Sequence, residues 1–419
     1  MQSENLSEKL FKPKFKYEET SMISNSGVEL PKLSYEDSAF GFTPSYYRPI
    51  HRFNWVIGGG NVLDIDEALA KISVSKNERS RPKCLDTVKE YGPGHWIYEF
   101  STIAQSRVTK ARAAMEKGDM QCASHNFRMA ARYFGIAAYP NLKSDVLALE
   151  ADVLCRKCYK QMFEVDPNLV PIKEETFTVD GKKVTGYLHL PDTESVHPCL
   201  VVACSYENSI EDHFRLFTNY LKPNNIAMFL IEMPGTGACD KLNLDDHFSL
   251  GVEAALEHLS TLNCIDSTKI ALMGRALAAT TCIRASLMKP NLVKALIAIT
   301  PFVHSIFTEK DYLDSMPLCL RSSLCNRLNL DASNWEILIP RFKAFSLKNQ
   351  GILSNSNRCT TPTLVCTIKN SYVSGNDITL LENNYKDFSL YVHENEGYSA
   401  FVKDSIERIS KFLVEKLNN

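Results

Sequence analysis

Short apolar runs that alternate with helical stretches are the strongest constraint on how this chain can fold. They occupy residues 200–203, 227–231, 270–273, 295–299, 363–366 and 389–392. Continuous apolar runs of this length are typical of strands that are buried on both faces of a sheet. Most intervals between them have a helical pattern. The alternation predicts an α/β protein with a mostly parallel sheet and helices on both sides.

An antiparallel hairpin is predicted ahead of these runs. Residues 175–179 and 184–190 have strand patterns and flank Asp180-Gly181, a dipeptide that favours tight hairpin turns. A hairpin followed by six βα units is the plan of the α/β-hydrolase fold, which we expect over residues 169–419. The interval 311–353 is too long for a simple crossover, so we expect a helical cap inserted between the sixth and seventh strands.

The first 168 residues have a different pattern. Residues 1–50 are polar and lack sustained periodicity, which predicts an irregular arm. Residues 51–168 have helical periodicity, with Ile65, Leu69 and Ile72 on one helix face. Breaks at Gly118-Asp119 and at 139–141 divide the longer helical stretch. We therefore expect an all-helical N-terminal module.

Charge and composition exclude several classes of protein. The 419 residues include 47 Lys and Arg against 49 Asp and Glu, and no basic stripe is interleaved with aromatic residues. A nucleic-acid partner is therefore not expected. The longest apolar stretch, 293–302, is interrupted by Lys294 and Pro301, so no membrane span is expected. Thirteen cysteines and an N-terminus without a signal-peptide pattern favour a reducing, cytoplasmic location.

The α/β-hydrolase plan places a nucleophile on a sharp turn after the fifth strand, flanked by small residues two positions before and after it. Here that turn is Gly274-Arg275-Ala276-Leu277-Ala278. The small flanking residues are present, but the nucleophile position is Ala276. A methyl group cannot attack an ester, so this position predicts weak or absent serine-esterase activity.

The acid and base positions are also unusual. After the seventh strand the acid position falls on Ser371, and Asp377 is an alternative acid a few residues later. After the last strand, His393 is the one imidazole available as a general base. Because there is no nucleophile to activate, an ordinary histidine at a strand end is the favoured interpretation of His393, and a general base is the alternative.

A displaced nucleophile is a further alternative. Ser205 and Tyr206 follow the third strand, where oxyanion donors usually lie, and Ser205 activated by His393 would form a dyad. The simpler interpretation is that these residues cap the next helix and shape a pocket wall. The residues expected around this pocket are Arg275, Ala276, Tyr206, Asp212 and Arg215.

Two short motifs point to no cofactor or metal. Cys155 and Cys158 have Cys-x-x-Cys spacing, but they lie in a helical stretch without a second pair, which favours buried thiols over a zinc or redox site. Gly58-Gly59-Gly60 has neither a preceding strand nor a following Lys-Ser/Thr, so a tight turn is favoured over a phosphate-binding loop. No metal or cofactor is expected.

Several separated motifs resemble the bacterial fermentation/respiration switch protein family, which is described as esterases. They are residues 96–100, 136–145, 212–217 and 345–351, in this order along the chain. The resemblance extends from about Trp55 to the C-terminus. It implies a helical module on an α/β-hydrolase fold, a cytoplasmic location and carboxylesterase activity. It also implies binding to the dephosphorylated glucose-specific IIA component of the sugar phosphotransferase system.

The family often has an arginine at the elbow position, whereas this chain has Ala276 there and Arg275 one residue earlier. Three hypotheses follow. The first is an ester hydrolase, acting on a small ester or acyl ligand, with poor turnover. The second is a non-catalytic regulator that binds dephosphorylated IIA. The third is a sensor with a small ligand near Arg275 and Tyr206.

Overall fold

The computed structural model describes most of the chain from residue 45 onward. The described residues are 45–309, 311–312, 318–331, 335–353, 358–369, 371, 373, 375–394 and 398–418. Most of the predicted arm, residues 1–44, therefore lies outside the described residues. So do parts of the predicted cap interval and residues 395–397 after the last strand.

An eight-stranded sheet contains all six apolar runs, which confirms the predicted α/β-hydrolase fold. Its strands are β1 (Lys173–Val179), β2 (Lys182–His189), β3 (His197–Cys204), β4 (Ala227–Glu232), β5 (Ile265–Arg275), β6 (Ala295–Ile299), β7 (Thr363–Ile368) and β8 (Phe388–His393). Their order is β1-β2-β4-β3-β5-β6-β7-β8. Strands β3 to β8 are parallel, and β2 is antiparallel to both β1 and β4.

The hairpin that opens the sheet has the predicted turn. Val179 pairs with Lys182, so Asp180 and Gly181 are the two central residues. Their φ angles are 48° and 72°. Two consecutive positive φ angles define the turn type whose twist matches that of paired strands, and Asp-Gly adopts it at low cost.

The helices lie where apolar residues recur with the spacing of a helix. In the N-terminal part they are α1 (Arg52–Ile57), α2 (Val62–Val74), α3 (Trp96–Glu116), α4 (Met120–Ala138) and α5 (Val146–Val165). In the remainder they are α6 (Phe214–Leu216), α7 (Leu250–Leu259), α8 (Leu277–Met288), α9 (Ser305–Thr308), α10 (Leu318–Leu328), α11 (Trp335–Lys343), α12 (Gly375–Asn384) and α13 (Tyr398–Leu417). Within the described ranges, none has the length and apolar character that crossing a bilayer requires.

The N-terminal helices share one hydrophobic core with the sheet. The buried face of α2, which includes Ile65 and Leu69, belongs to the same cluster as Val202 of β3 and Met273 of β5. At this junction the Tyr159 hydroxyl lies 3.1 Å from Nε2 of His189 on β2. The helical module is therefore packed onto the sheet through apolar contacts and not held by a linker alone.

Buried ion pairs cross the same junction. Arg132 of α4 lies 2.7 Å from Asp212 and 3.4 Å from Glu211, both of which follow β3. Arg156 of α5 lies 3.6 Å from Glu232 at the end of β4. Removing one member of such a pair leaves an uncompensated buried charge, so these pairs fix how the module sits on the sheet.

Helices α10 and α11 lie between β6 and β7, as the predicted cap requires. Arg327 of α10 is buried and its guanidinium lies 4.1 Å from the centre of the Tyr206 ring. It also donates to the backbone carbonyls of Pro140 and Asn141, at 3.3 and 2.9 Å. One cap side chain thus connects the cap to the helical module and to the loop after β3.

Strand β5 and helix α8 approach each other closely at Gly274. A Cβ atom on Gly274 would lie 2.4 Å from the backbone carbonyl oxygen of Ala278 and 2.6 Å from the backbone nitrogen of Ala279. These are backbone atoms of a buried helix and cannot move aside as a flexible side chain would. Glycine at position 274 is therefore required by packing.

We predict that Gly274→Ala lowers the free energy of unfolding by about 1–3 kcal/mol, because overpacking forces backbone shifts. Urea denaturation followed by circular dichroism measures the change. Gly375→Ala is the matched control, since a Cβ there meets no atom within 4 Å and alanine favours the helix. A Gly274→Ala variant as stable as the wild type would contradict the packing argument.

Candidate active site

The turn after β5 has the backbone geometry of a nucleophile elbow. Ala276 has φ 52° and ψ −123°, outside the regions that alanine normally adopts. Its N–H donates to the Ile299 carbonyl at 3.0 Å. Its carbonyl accepts from the backbone N–H groups of Ala279 and Thr280, at 3.1 and 3.3 Å. These bonds to β6 and α8 hold a conformation that costs about 1–3 kcal/mol in isolation.

The side chain at the apex of this elbow cannot perform nucleophilic catalysis. Ala276 is buried and belongs to the apolar cluster that also contains Tyr206 and Leu277. Its methyl group has no lone pair and no proton that a base could remove. The elbow therefore keeps the shape that presents a nucleophile in this fold and lacks the nucleophile itself.

Arg275 precedes the apex and has a different environment. Its guanidinium lies 3.6 Å from the Glu207 carboxylate and 5.5 Å from the centre of the Tyr398 ring. Burial opposes the charged form, but Tyr398, Glu207 and Asp212 more than offset it and raise the pKa of Arg275. Arg275 is thus a half-buried, charged group held between the loop after β3 and the start of α13.

The loop after β3 is ordered by its own side chains. Ser205 Oγ donates to Asn208 Oδ1 at 2.9 Å and accepts from the Glu207 N–H at 3.3 Å. Ser209 and Asp212 form a reciprocal capping box at the start of the following helical turn. These contacts fit the interpretation that the loop caps a helix. Among the described residues, Ser205 forms no hydrogen bond with an imidazole, and the displaced dyad stays a prediction.

His393 is the last residue of β8 and is buried. Its Nδ1 lies 2.9 Å from the Tyr391 hydroxyl and 3.6 Å from Asp404 Oδ2, and its ring lies 6.1 Å from Phe401. Its Nε2 is buried without a hydrogen-bond partner in the described part of the chain. The ring thus contacts α13, and its role as a base stays a prediction.

Ser371, at the predicted acid position, and Asp377, the alternative acid, lie in separate environments. Asp377 accepts hydrogen bonds from the N–H and the hydroxyl of Ser305, each at 3.1 Å. Burial raises the pKa of Asp377 despite these bonds. Ser371 Oγ lies 2.9 Å from Thr367 Oγ1. In the described ranges, no hydrogen bond joins either residue to His393.

A cavity of about 190 Å³ lies between the sheet and α13. Four of the residues predicted for the site line it: Ser205, Asp212, Arg215 and Arg275. Ala276 is not among its lining residues, and Tyr206 lines a much smaller neighbouring cavity together with Tyr139. Strand ends at one edge of the sheet bring these residues together, because β3 and β5 are neighbours in the sheet.

Three further residues at this edge were not predicted from the sequence. Burial and the charge of Arg275 lower the pKa of His51 to about 3, so its imidazole is neutral and a weak base at neutral pH. Tyr398 stacks with Arg275, and Arg327 covers Tyr206. These residues come from the helical module, from α13 and from the cap. Of the three, only Tyr398 could have been predicted, because it follows the last strand.

The Cys-x-x-Cys and triple-glycine motifs have the structures that were favoured for them, buried thiols in a helix and a tight turn. Cys155 and Cys158 are buried in α5, and the Cys155 thiol donates to Glu211 at 3.1 Å. Gly58-Gly59-Gly60 forms a turn against α4, where a Cβ on Gly58 would lie 2.1 Å from the Arg132 guanidinium. In the described part of the chain, no group of three His, Cys, Asp or Glu side chains has the arrangement of a metal site.

Comparison with known proteins identifies relatives over most of the chain. A family described as "Esterase FrsA-like" matches residues 1–418. "Esterase FrsA" of Yersinia enterocolitica is 34% identical over 367 residues, which cover 87% of each chain. "Esterase FrsA" of Photobacterium profundum is 30% identical over 370 residues, which cover 88% of this chain and 87% of that one.

Solved structures show the same fold at low sequence identity. A 2,6-dihydroxy-pseudo-oxynicotine hydrolase aligns with a TM-score of 0.69 at 16% identity, over 87% of this chain and 95% of that one. AbyA5 aligns with a TM-score of 0.63 at 14% identity, over 88% and 98%. The elbow, the sheet order and these matches agree: the chain belongs to the FrsA-like esterase family and has its α/β-hydrolase fold.

Proposed function

We propose that this chain is an esterase-type hydrolase whose serine-dependent turnover is weak or absent. The observation that carries the proposal is Ala276 at the apex of an intact elbow. In a serine hydrolase, loss of the triad serine alone costs about 10⁶-fold in turnover. What then remains is the stabilisation from the oxyanion hole and from substrate binding, about 10³–10⁴-fold over water.

The chain has backbone positions that correspond to the oxyanion hole of a serine hydrolase. In the α/β-hydrolase plan, the oxyanion is bound by the backbone N–H after the nucleophile and by an N–H from the loop after β3. The corresponding positions here are Leu277 and the loop that starts at Ser205. A small ester or acyl ligand bound there would be polarised, but Ala276 supplies no side-chain nucleophile, so a water molecule would have to attack the carbonyl carbon and release the acid and the alcohol directly. The proposal therefore favours slow, non-covalent turnover over an acyl-enzyme route.

We predict that a fluorophosphonate probe does not label the full-length protein, because the reagent requires an activated serine. Labelling is measured by in-gel fluorescence and by intact mass, with an active serine esterase treated in parallel as the positive control. Stoichiometric labelling that maps to one serine by peptide mass spectrometry would contradict the proposal.

The displaced dyad gives a separate prediction. Ser205 Oγ already donates to Asn208, so we expect Ser205→Ala to leave residual turnover of a para-nitrophenyl acyl ester within about twofold. The matched control is Ser195→Ala, which removes an exposed hydroxyl from the loop before β3. A fall in kcat/KM of more than tenfold for Ser205→Ala alone would support Ser205 as the nucleophile.

A second candidate function is a regulator that binds the dephosphorylated glucose-specific IIA component. The observation that favours it is an exposed apolar face on α5. Val146, Leu149 and Val153 are 65%, 47% and 49% exposed, and their spacing places them on one side of the helix beside the exposed Glu150. Phosphorylation of the partner adds close to two negative charges, which an apolar face next to a carboxylate would disfavour.

We predict that dephosphorylated IIA binds the full-length protein and that phosphorylated IIA binds at least tenfold more weakly. Isothermal titration calorimetry with both forms measures the difference. Leu149→Glu should weaken binding, while Leu63→Glu on the exposed face of α2 should leave it unchanged. Equal affinity for both forms, or no effect of Leu149→Glu, would count against this function.

A further inference from the structure

The cavity between the sheet and α13 is lined mostly by apolar side chains. Its floor includes Val202 of β3 and Met273 of β5, and its wall includes Phe401, Val402 and Ile406 of α13. Its volume is about 190 Å³. An engineered cavity of about 150 Å³ in another protein binds benzene, so this space fits a ligand body of about six to eight carbon atoms.

The polar end of the cavity contains one group whose charge is not compensated. Arg275 and Asp212 line the cavity, but Arg275 pairs with Glu207 and Asp212 pairs with Arg132 at 2.7 Å. Arg215 also lines the cavity and is half-buried. Among the described residues it has neither an ion pair nor a side-chain hydrogen bond.

His213 provides a second unpartnered group at the same end. Its side chain lines the cavity, and its Nε2 is buried with no hydrogen-bond partner in the ranges that the structure describes. Burial lowers the pKa of His213 to about 4, so the imidazole is neutral at neutral pH. A neutral imidazole can donate one N–H to an anion, and a buried N–H without a partner is costly.

A second arginine increases the positive charge next to Arg215. The Arg128 guanidinium of α4 lies 5.2 Å from the centre of the ring of Phe214, the neighbour of Arg215 in the chain. Its Nε is buried without a hydrogen-bond partner among the described residues. Burial and the charges of Arg215 and Arg132 together lower the pKa of Arg128. An anion at Arg215 would relieve this repulsion between like charges.

We propose that this cavity binds a medium-chain monocarboxylic acid, with the chain between the sheet and α13 and the carboxylate on Arg215 and His213. A carboxylate matches the two-pronged donor geometry of a guanidinium. A buried carboxylate also needs such partners to offset its loss of hydration. The acid is the class of product that ester hydrolysis releases, so the site extends the proposed function, but binding requires no turnover.

Isothermal titration of the full-length protein with octanoate, and with 1-octanol as its neutral analogue, tests this proposal. We expect octanoate to bind and Arg215→Gln to weaken it at least tenfold, because a charge-assisted contact is lost. Arg215→Gln should leave any binding of 1-octanol unchanged. Arg112→Gln, at an exposed arginine of α3, is the matched control and should have no effect.

Filling the cavity tests the position of the carbon chain. Ile406→Trp should abolish octanoate binding, and Val402→Trp is a second variant in case the first does not fold, as judged by thermal unfolding. Failure of octanoate to bind the wild type, or equal affinity in Arg215→Gln, would overturn the proposal. Undiminished binding to a folded cavity-filled variant would also overturn it. Labelling by the fluorophosphonate probe would contradict the proposal that serine-esterase activity is weak or absent. It would not change the results expected for octanoate binding, so the two proposals can fail separately.

Discussion

The close approach of strand β5 to helix α8 is the constraint on which the site depends. There is no room for a side chain at Gly274, since a Cβ there would lie 2.4 Å from the Ala278 carbonyl oxygen. This approach requires a sharp bend between the strand and the helix, and Ala276 takes the positive φ of 52°. Hydrogen bonds to Ile299 and from the first turn of α8 stabilise that bend. The shape of the elbow is thus independent of the chemistry of its apex residue, which explains how it can persist with a methyl group there.

The helical module and the cap complete the edge of the sheet where the site lies. Arg132 and Arg156 place charges of the module against Asp212, which follows β3, and Glu232, the last residue of β4. Arg327 connects the cap to Tyr206 and to backbone carbonyls of the module. Each of these arginines is largely buried, and each contacts groups from a different part of the chain. The loop after β3 is therefore held from two sides, which favours a rigid binding site over a mobile one.

The sequence predicted most of the fold because the period of its apolar residues changes where the architecture changes. Strands β3, β4, β6 and β7 are buried along almost their whole length, so each is a continuous apolar run that can be located without tertiary information. Residues 389–392 were expected to be buried on both faces as well, but β8 is at the edge of the sheet and Ser389 and Leu390 are exposed. The elbow position followed from spacing, and Ser205, Asp212, Arg215 and Arg275 lie at one cavity because adjacent parallel strands end at one edge. His51 and Arg327 could not be placed this way, since they reach the edge from residues far away in the chain.

The local properties of the chain follow from its sequence alone: the strands, the tight Asp180-Gly181 turn and the absence of a nucleophile at Ala276. These depend on side-chain size, periodicity and functional groups within a few residues. Which charges are compensated depends instead on the folded arrangement of the segments. Arg275 has Glu207 and Tyr398 beside it, whereas Arg215 faces an apolar cavity, although the sequence presents both as isolated arginines. The reason is that electrostatic pairing and burial depend on distances between segments, which the order of residues along the chain does not contain.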